Sequence, residues 1–223
     1  MSGKIYAGAS GFGYATWKPG WYPADAKPPD FLSLYARRLP SVELNTTKYR
    51  LPSEEQFERW AAQTPPHFSF AVKMPPRGLD ALATFEERVQ LLGSRLGPIR
   101  AVVTRARDDG WLELLLGSRD PELRYALDLR HPSWDGVEPR LAEAGLVRVD
   151  DVSTPSPFRY LRFREPPYDE DALAEIAACV RERLRLGEDV YAYFRHEDEP
   201  TAPQYAERLL ELVREESSRT ATR

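Results

Sequence analysis

Eight short strand-like segments, nearly all followed by helix-like ones, predict an α/β fold for this 223-residue chain: a single TIM-type (β/α)8 barrel. Two further observations favour a barrel over an open doubly wound sheet. Most of the strand-like segments end in polar or charged residues, as strands do where they open onto a ligand-binding rim. No linker-like break divides the chain, so 1–216 reads as one barrel domain and 217–223 as a polar C-terminal tail.

Ile5–Ala9 reads as the first strand, and the turn Ser10-Gly11-Phe12-Gly13 leaves it. Gly8, Gly11 and Gly13 do not form GxGxxG, so they read as a tight turn rather than a phosphate loop. Tyr14, Trp17, Trp21 and Tyr22 crowd the next loop, which either caps a barrel end or lines a pocket. Phe31, Leu34 and Tyr35 recur at helical spacing between Asp30 and Leu39, and Pro40 stops that helix. Ser41–Asn45 is the second strand, with Glu43 and Asn45 on one side and Val42 and Leu44 on the other. The loop Thr46–Arg50 follows. Ser53 precedes Glu54 and Glu55 as a helix start.

Phe68–Lys73 is the third strand, and Pro75-Pro76-Arg77-Gly78 reads as a loop. Thr84 and Glu87 form a capping box for a helix that carries Phe85, Val89, Leu92 and Leu96. Ile99–Val103 is the fourth strand, with a short helix around Trp111–Leu116 after it. The fifth strand begins at Tyr125 and ends in Asp128-Leu129-Arg130-His131, followed by the loop Pro132-Ser133-Trp134. A short helix over Gly136–Ala144 leads to the sixth strand, Gly145–Asp150. Val152–Pro157 is too short and too rich in proline for an ordinary helix, so the barrel is irregular there, with a missing or very short helix after strand six. Phe158–Arg164 and Val190–Phe194 are the last two strands. Amphipathic helices over Asp169–Leu186 and Ala202–Glu216 follow them.

The net charge of −4 weighs against a broadly nucleic-acid-binding surface, and no run approaches the roughly 18 apolar residues of a membrane span. Cys179 is the single cysteine, so no intramolecular disulfide can form. Its setting predicts a packed thiol on the buried side of a helix, and a cytoplasmic protein is expected.

A barrel would gather the strand-end residues at one mouth. Lys73, Arg130, Arg162, Arg164 and Arg195 supply cations, and arginine can grip phosphate or carboxylate oxygens with a fork of N–H donors. A small anionic molecule is therefore the expected partner. Glu43, Asp128 and Asp150 can orient those cations or act as general bases. His131 is an acid/base candidate, because an imidazole titrates near neutral pH. With Asn45, Trp134, Tyr193 and Trp17, these residues make up the expected site. No HxH or HExxH pattern fixes a metal, and no cofactor motif is present, so metal and cofactor stay unassigned.

Several motifs together resemble one family. Ala7-Gly8-Ala9-Ser10-Gly11-Phe12 with Trp17, Gly20, Trp21, Tyr22 and Pro23 is similar to the opening signature of the domain-of-unknown-function 72 family, also called YecE-like. Val42-Glu43-Leu44-Asn45 with Tyr49-Arg50 and Pro52 resembles its second motif. Phe68–Lys73 is similar to its third strand, and Arg130-His131-Pro132-Ser133-Trp134 to its central motif. Tyr160-Leu161-Arg162 and Tyr193-Phe194 are similar to its later strands. The resemblance implies a TIM-type barrel and no settled activity. It marks Asn45, Lys73, Arg130, His131, Trp134, Asp150, Arg162 and Tyr193 as pocket positions.

This chain departs from that pattern at Asp128 (usually glutamate), Thr104-Arg105, Arg164-Glu165 and Arg195-His196. The leading expectation is a pocket for a small anion, with chemistry like that of a phosphate-ester hydrolase. A non-catalytic ligand-binding or regulatory barrel and a metal-dependent nuclease or repair enzyme are the alternatives.

Overall fold

The computed structural model describes residues 3–45, 51–75 and 79–220, with side chains described to residue 215. The expected loop Thr46–Arg50, with its Tyr49-Arg50 motif, and Pro76-Arg77-Gly78 lie outside the described residues. The chain divides into two compact units, 1–42 with 157–223 and 43–156.

The first unit holds β1 (Ile5–Ala9), α1 (Phe31–Ala36), β7 (Phe158–Phe163), α6 (Glu170–Arg185), β8 (Asp189–Phe194) and α7 (Thr201–Thr220). The strands form a parallel sheet in the order β1-β8-β7, with Ala9 and Phe163 both beside Phe194. Parallel strands need long crossovers, and α6 and α7 follow β7 and β8. α7 packs on α6, β1 and β8. Its backbone stays helical to Thr220, past the expected end at Glu216 and into the expected tail.

Gly8 has a steric reason: a Cβ there would sit 1.9 Å from the Ser41 carbonyl oxygen. That close approach lets the Tyr35 hydroxyl accept the Ala9 N–H at 2.8 Å and donate to the Ser41 oxygen at 3.0 Å. The aromatic loop packs as core: Trp17 is fully buried, and Tyr22 stacks on Phe31 at 4.5 Å.

The second unit carries the latter half of β2 (Ser41–Leu44), a strand through which the unit boundary passes, and α2 (Glu54–Ala62), β3 (Ser69–Lys73) and α3 (Leu82–Gln90). Then come β4 (Leu96–Val103), α4 (Asp109–Ser118), β5 (Tyr125–Leu129), α5 (Glu138–Glu143) and β6 (Val147–Arg148). The sheet order is β2-β3-β4-β5-β6, and the β3–β4, β4–β5 and β5–β6 pairings are parallel. Alternating strands and helices with parallel sheets thus match the expected class. The segment after β6 has no helix; Asp151 instead accepts N–H groups from Ser153 and Thr154 in a turn.

Three local expectations are corrected. α3 starts at Leu82, before the expected Thr84 cap, because buried Leu82 extends the apolar stripe of Phe85 and Val89 by one turn. β4 starts at Leu96 rather than Ile99. A bulge absorbs the Gly97-Pro98 pair: Phe70 and Val72 of β3 face Leu96 and Ile99, two steps against three. Cys179 is half-buried, since its place on α6 falls beside the stripe of Leu173, Ala177 and Val180 rather than on it.

Tyr125, fully buried at the start of β5, donates its hydroxyl to Glu86. Burial first, and then the hydrogen bond to Glu86, push its ionisation well above the ordinary tyrosine range. Burial does the same to Tyr35. Unfolded tyrosines ionise near pH ~10, while these two stay protonated in the fold. Stability is therefore fully present below that pH and falls above it, by up to ~1.4 kcal/mol per pH unit per tyrosine. Urea unfolding at rising alkaline pH should show this loss, and Tyr125→Phe should make the fall shallower.

Candidate functional site

β-strand alternation and parallel register put a row of charges on one face of the second unit's sheet. Lys73 pairs in register with Arg100, and Val102 with Asp128. Arg100 lies within an otherwise apolar stretch of β4 and is 2% exposed. A guanidinium there needs partners, because an isolated buried charge costs several kcal/mol of desolvation, on the order of the whole fold's stability. It has two. Its Nη1 donates to Asp128 Oδ2 at 2.8 Å. Its Nε lies 2.9 Å from Glu43 Oε1 but off a good hydrogen-bond line, so that contact is chiefly electrostatic.

The row continues at both ends. Asn45 Nδ2 donates to Glu43 Oε2 at 3.3 Å. At the other end, Arg130 holds Asp128 with both Nε (3.3 Å to Oδ1) and Nη2 (3.1 Å to Oδ2). Four expected site residues, Asn45, Glu43, Asp128 and Arg130, are thus joined through Arg100, which sequence reasoning missed. The signal was present: an arginine in mid-strand calls for a buried acid, and Asp128 is an acid in mid-strand. Of this row Arg130 reaches solvent, with 48% of its side chain exposed. Glu43 is fully buried against the Arg100 guanidinium.

The residues after Arg130 form a single 3-10 turn, Pro132–Trp134, capped by His131. His131 Nδ1 accepts the Ser133 N–H at 3.2 Å and lies 2.8 Å from Ser133 Oγ. Ser133 Oγ in turn accepts the Arg107 N–H at 2.7 Å, which directs its own proton toward the ring. With Nδ1 an acceptor, the neutral imidazole carries its proton on Nε2. His131 is exposed, so Nε2–H is a donor available to a ligand beside Arg130 in sequence. Trp134, expected to touch ligand, is fully buried and donates Nε1–H to the Arg105 carbonyl at 3.0 Å. Its role here is to hold the loop after β4.

Asp150 is exposed, in a turn with φ 68°, a left-handed conformation uncommon for a residue with a side chain. Such strain is often kept at functional positions. The remaining expected residues belong to the first unit. Trp17 is buried, with Nε1 donating to the Glu197 carbonyl at 3.1 Å. The buried Tyr193 hydroxyl meets Ser41 Oγ at 2.6 Å. Arg164 Nη1 donates to the Arg162 carbonyl at 3.1 Å, and Arg195 lies 3.5 Å from Glu197. Trp17, Trp134 and Tyr193 are thus placed as supports, whereas Arg130, His131, Asp150 and Arg195 present exposed polar groups. Among the described residues, no group of three or more His, Cys, Asp or Glu is placed to hold a metal ion. Nor is any helix there long and apolar enough to cross a membrane.

These features define an α/β protein with parallel sheets and a charged row ending in an arginine–histidine pair. The family model described as protein of unknown function DUF72 matches residues 6–223, and the chain belongs to that family. It is 33% identical over 129 residues to the UPF0759 protein YecE of Escherichia coli K12, covering 52% of this chain and 47% of that protein. The O157:H7 relative gives the same values. The chain spans about half the length of the curated relatives it matches. A DUF72 family protein of Thermotoga maritima MSB8 superposes with a TM-score of 0.82 at 25% identity, over 95% of this chain and 99% of that one. A second, from Enterococcus faecalis V583, gives 0.69 at 17% identity, over 95% and 98%.

Proposed function

We propose that this chain is a TIM-type barrel that binds a small anion of the phosphate-ester class through Arg130 and His131. One observation carries the reading: the exposed Arg130 guanidinium is held by two hydrogen bonds on Asp128, which Arg100 anchors from the other side. An arginine fixed in advance loses little side-chain freedom on binding, so more of each charge-assisted hydrogen bond appears as affinity. His131 adds an Nε2–H that can donate a hydrogen bond to a phosphate oxygen.

Binding without turnover is favoured over hydrolysis, because the carboxylates of Asp128 and Glu43 are already engaged by guanidinium groups. Calorimetric titration with phenyl phosphate tests the reading. Wild type should bind saturably, and Arg130→Gln should weaken binding about 10- to 100-fold, the worth of one or two charge-assisted hydrogen bonds. Equal affinity in the two proteins would refute it. Phenol release in the same mixture would move the assignment from binding to hydrolysis.

A further inference from the structure

Beyond that reading, the second unit carries a groove of about 610 Å3, within the range of small-molecule sites. It runs from the ends of β3 and β4 to the outer side of α4. Met74, Val103, Trp111 and Leu114 supply apolar wall, and Leu114 is 57% exposed on α4. Among the described residues, the charged groups in its lining are Arg105, Asp108 and Asp80.

Their arrangement limits the ligand. Arg105 lies over the Trp111 ring at 5.4 Å and makes only a loose 3.5 Å contact with Asp108. Among the described residues a simple anion would meet two acids against one base, and a simple cation would meet Arg105. A molecule with adjacent carboxylate and ammonium matches the adjacent Arg105 and Asp108, and Asp80 adds a second acid for the ammonium. The apolar wall then takes a large apolar side chain.

The loop is also held in place. Trp134 Nε1 fixes the Arg105 carbonyl, Ser133 Oγ fixes the Arg107 N–H, and the Trp134 ring meets Trp111 edge-on at 6.1 Å. The His-Pro-Ser-Trp turn thus braces this groove as well as the Arg130 rim.

We infer that the groove bounded by Arg105, Asp108, Trp111 and Leu114 binds a free α-amino acid with a large apolar side chain. Titration calorimetry with L-phenylalanine, 3-phenylpropionate (no ammonium) and phenethylamine (no carboxylate) tests this. Phenylalanine should bind saturably, and each analogue at least about tenfold more weakly. Arg105→Gln should bring phenylalanine down to the level that phenethylamine shows with the wild type, and should not weaken phenethylamine. Asp108→Asn, which keeps a good helix cap, should bring it down to the level of 3-phenylpropionate. Binding of 3-phenylpropionate as tight as that of phenylalanine, phenylalanine binding indifferent to Arg105→Gln and Asp108→Asn, or no saturable binding of phenylalanine would overturn the inference.

Discussion

Arg100→Met should lower the unfolding free energy by about 3–5 kcal/mol, the usual cost of stripping one partner from a buried charge network. Methionine restores much of the volume, so a cavity is not the main cause. The cost comes from Glu43 and Asp128, which are 0% and 5% exposed and lose the guanidinium between them. Asp128 keeps Arg130, but that side chain sits half in water and compensates weakly. Adding Glu43→Gln to Arg100→Met should recover part of the loss, because one fewer charge is then buried without the Arg100 guanidinium. Urea unfolding of wild type, the single variant and the double variant measures both effects. An Arg100→Met protein within ~1 kcal/mol of wild type would show that the row contributes little to stability.

Glu188→Ala should cost a similar ~3–5 kcal/mol in the first unit. Arg159 is 1% exposed and grips Glu188 with two bonds, Nε to Oε2 at 2.8 Å and Nη2 to Oε1 at 2.7 Å. Arg159 starts one residue inside β7, and Glu188 precedes β8, so the pair ties the starts of two neighbouring parallel strands. Removing the carboxylate leaves a guanidinium in a place water does not reach. Replacing both residues with apolar ones of similar size should recover most of the loss, since neither charge is then buried. For a chain of this size each kcal/mol moves the melting temperature by roughly 2–4 °C, so thermal unfolding resolves the single variant from the double.

The eight strands were legible because alternation and strand-ending charges are local signals. Segments whose boundaries depend on contacts were less so. Leu82 joins α3 through an apolar face that completes only when the helix packs, and the β4 bulge at Gly97-Pro98 exists only against β3. The site divides in the same way. Arg130 and His131 stood out in sequence as a strand-end pair. Arg100 did not, because its meaning depends on Glu43 two strands away and Asp128 on the next strand. Trp134 was legible as a site residue but not as a brace, since its bond to the Arg105 carbonyl spans 29 residues. Division of the chain into two compact units left a mark in composition at one boundary alone: the crossing at 156/157 falls in the proline-rich stretch after β6, whereas the other passes through the middle of β2 and leaves none.

The central claim is that Arg130, held by Asp128, binds the anion. NMR detection of the arginine Nε–Hε groups during titration with phenyl phosphate tests it most directly, because it reports which guanidinium meets the ligand. The resonance lost in Arg130→Gln should move saturably with added phenyl phosphate, while that of buried Arg100 stays nearly fixed. An Arg130 resonance that stands still while the protein binds phenyl phosphate would contradict the account.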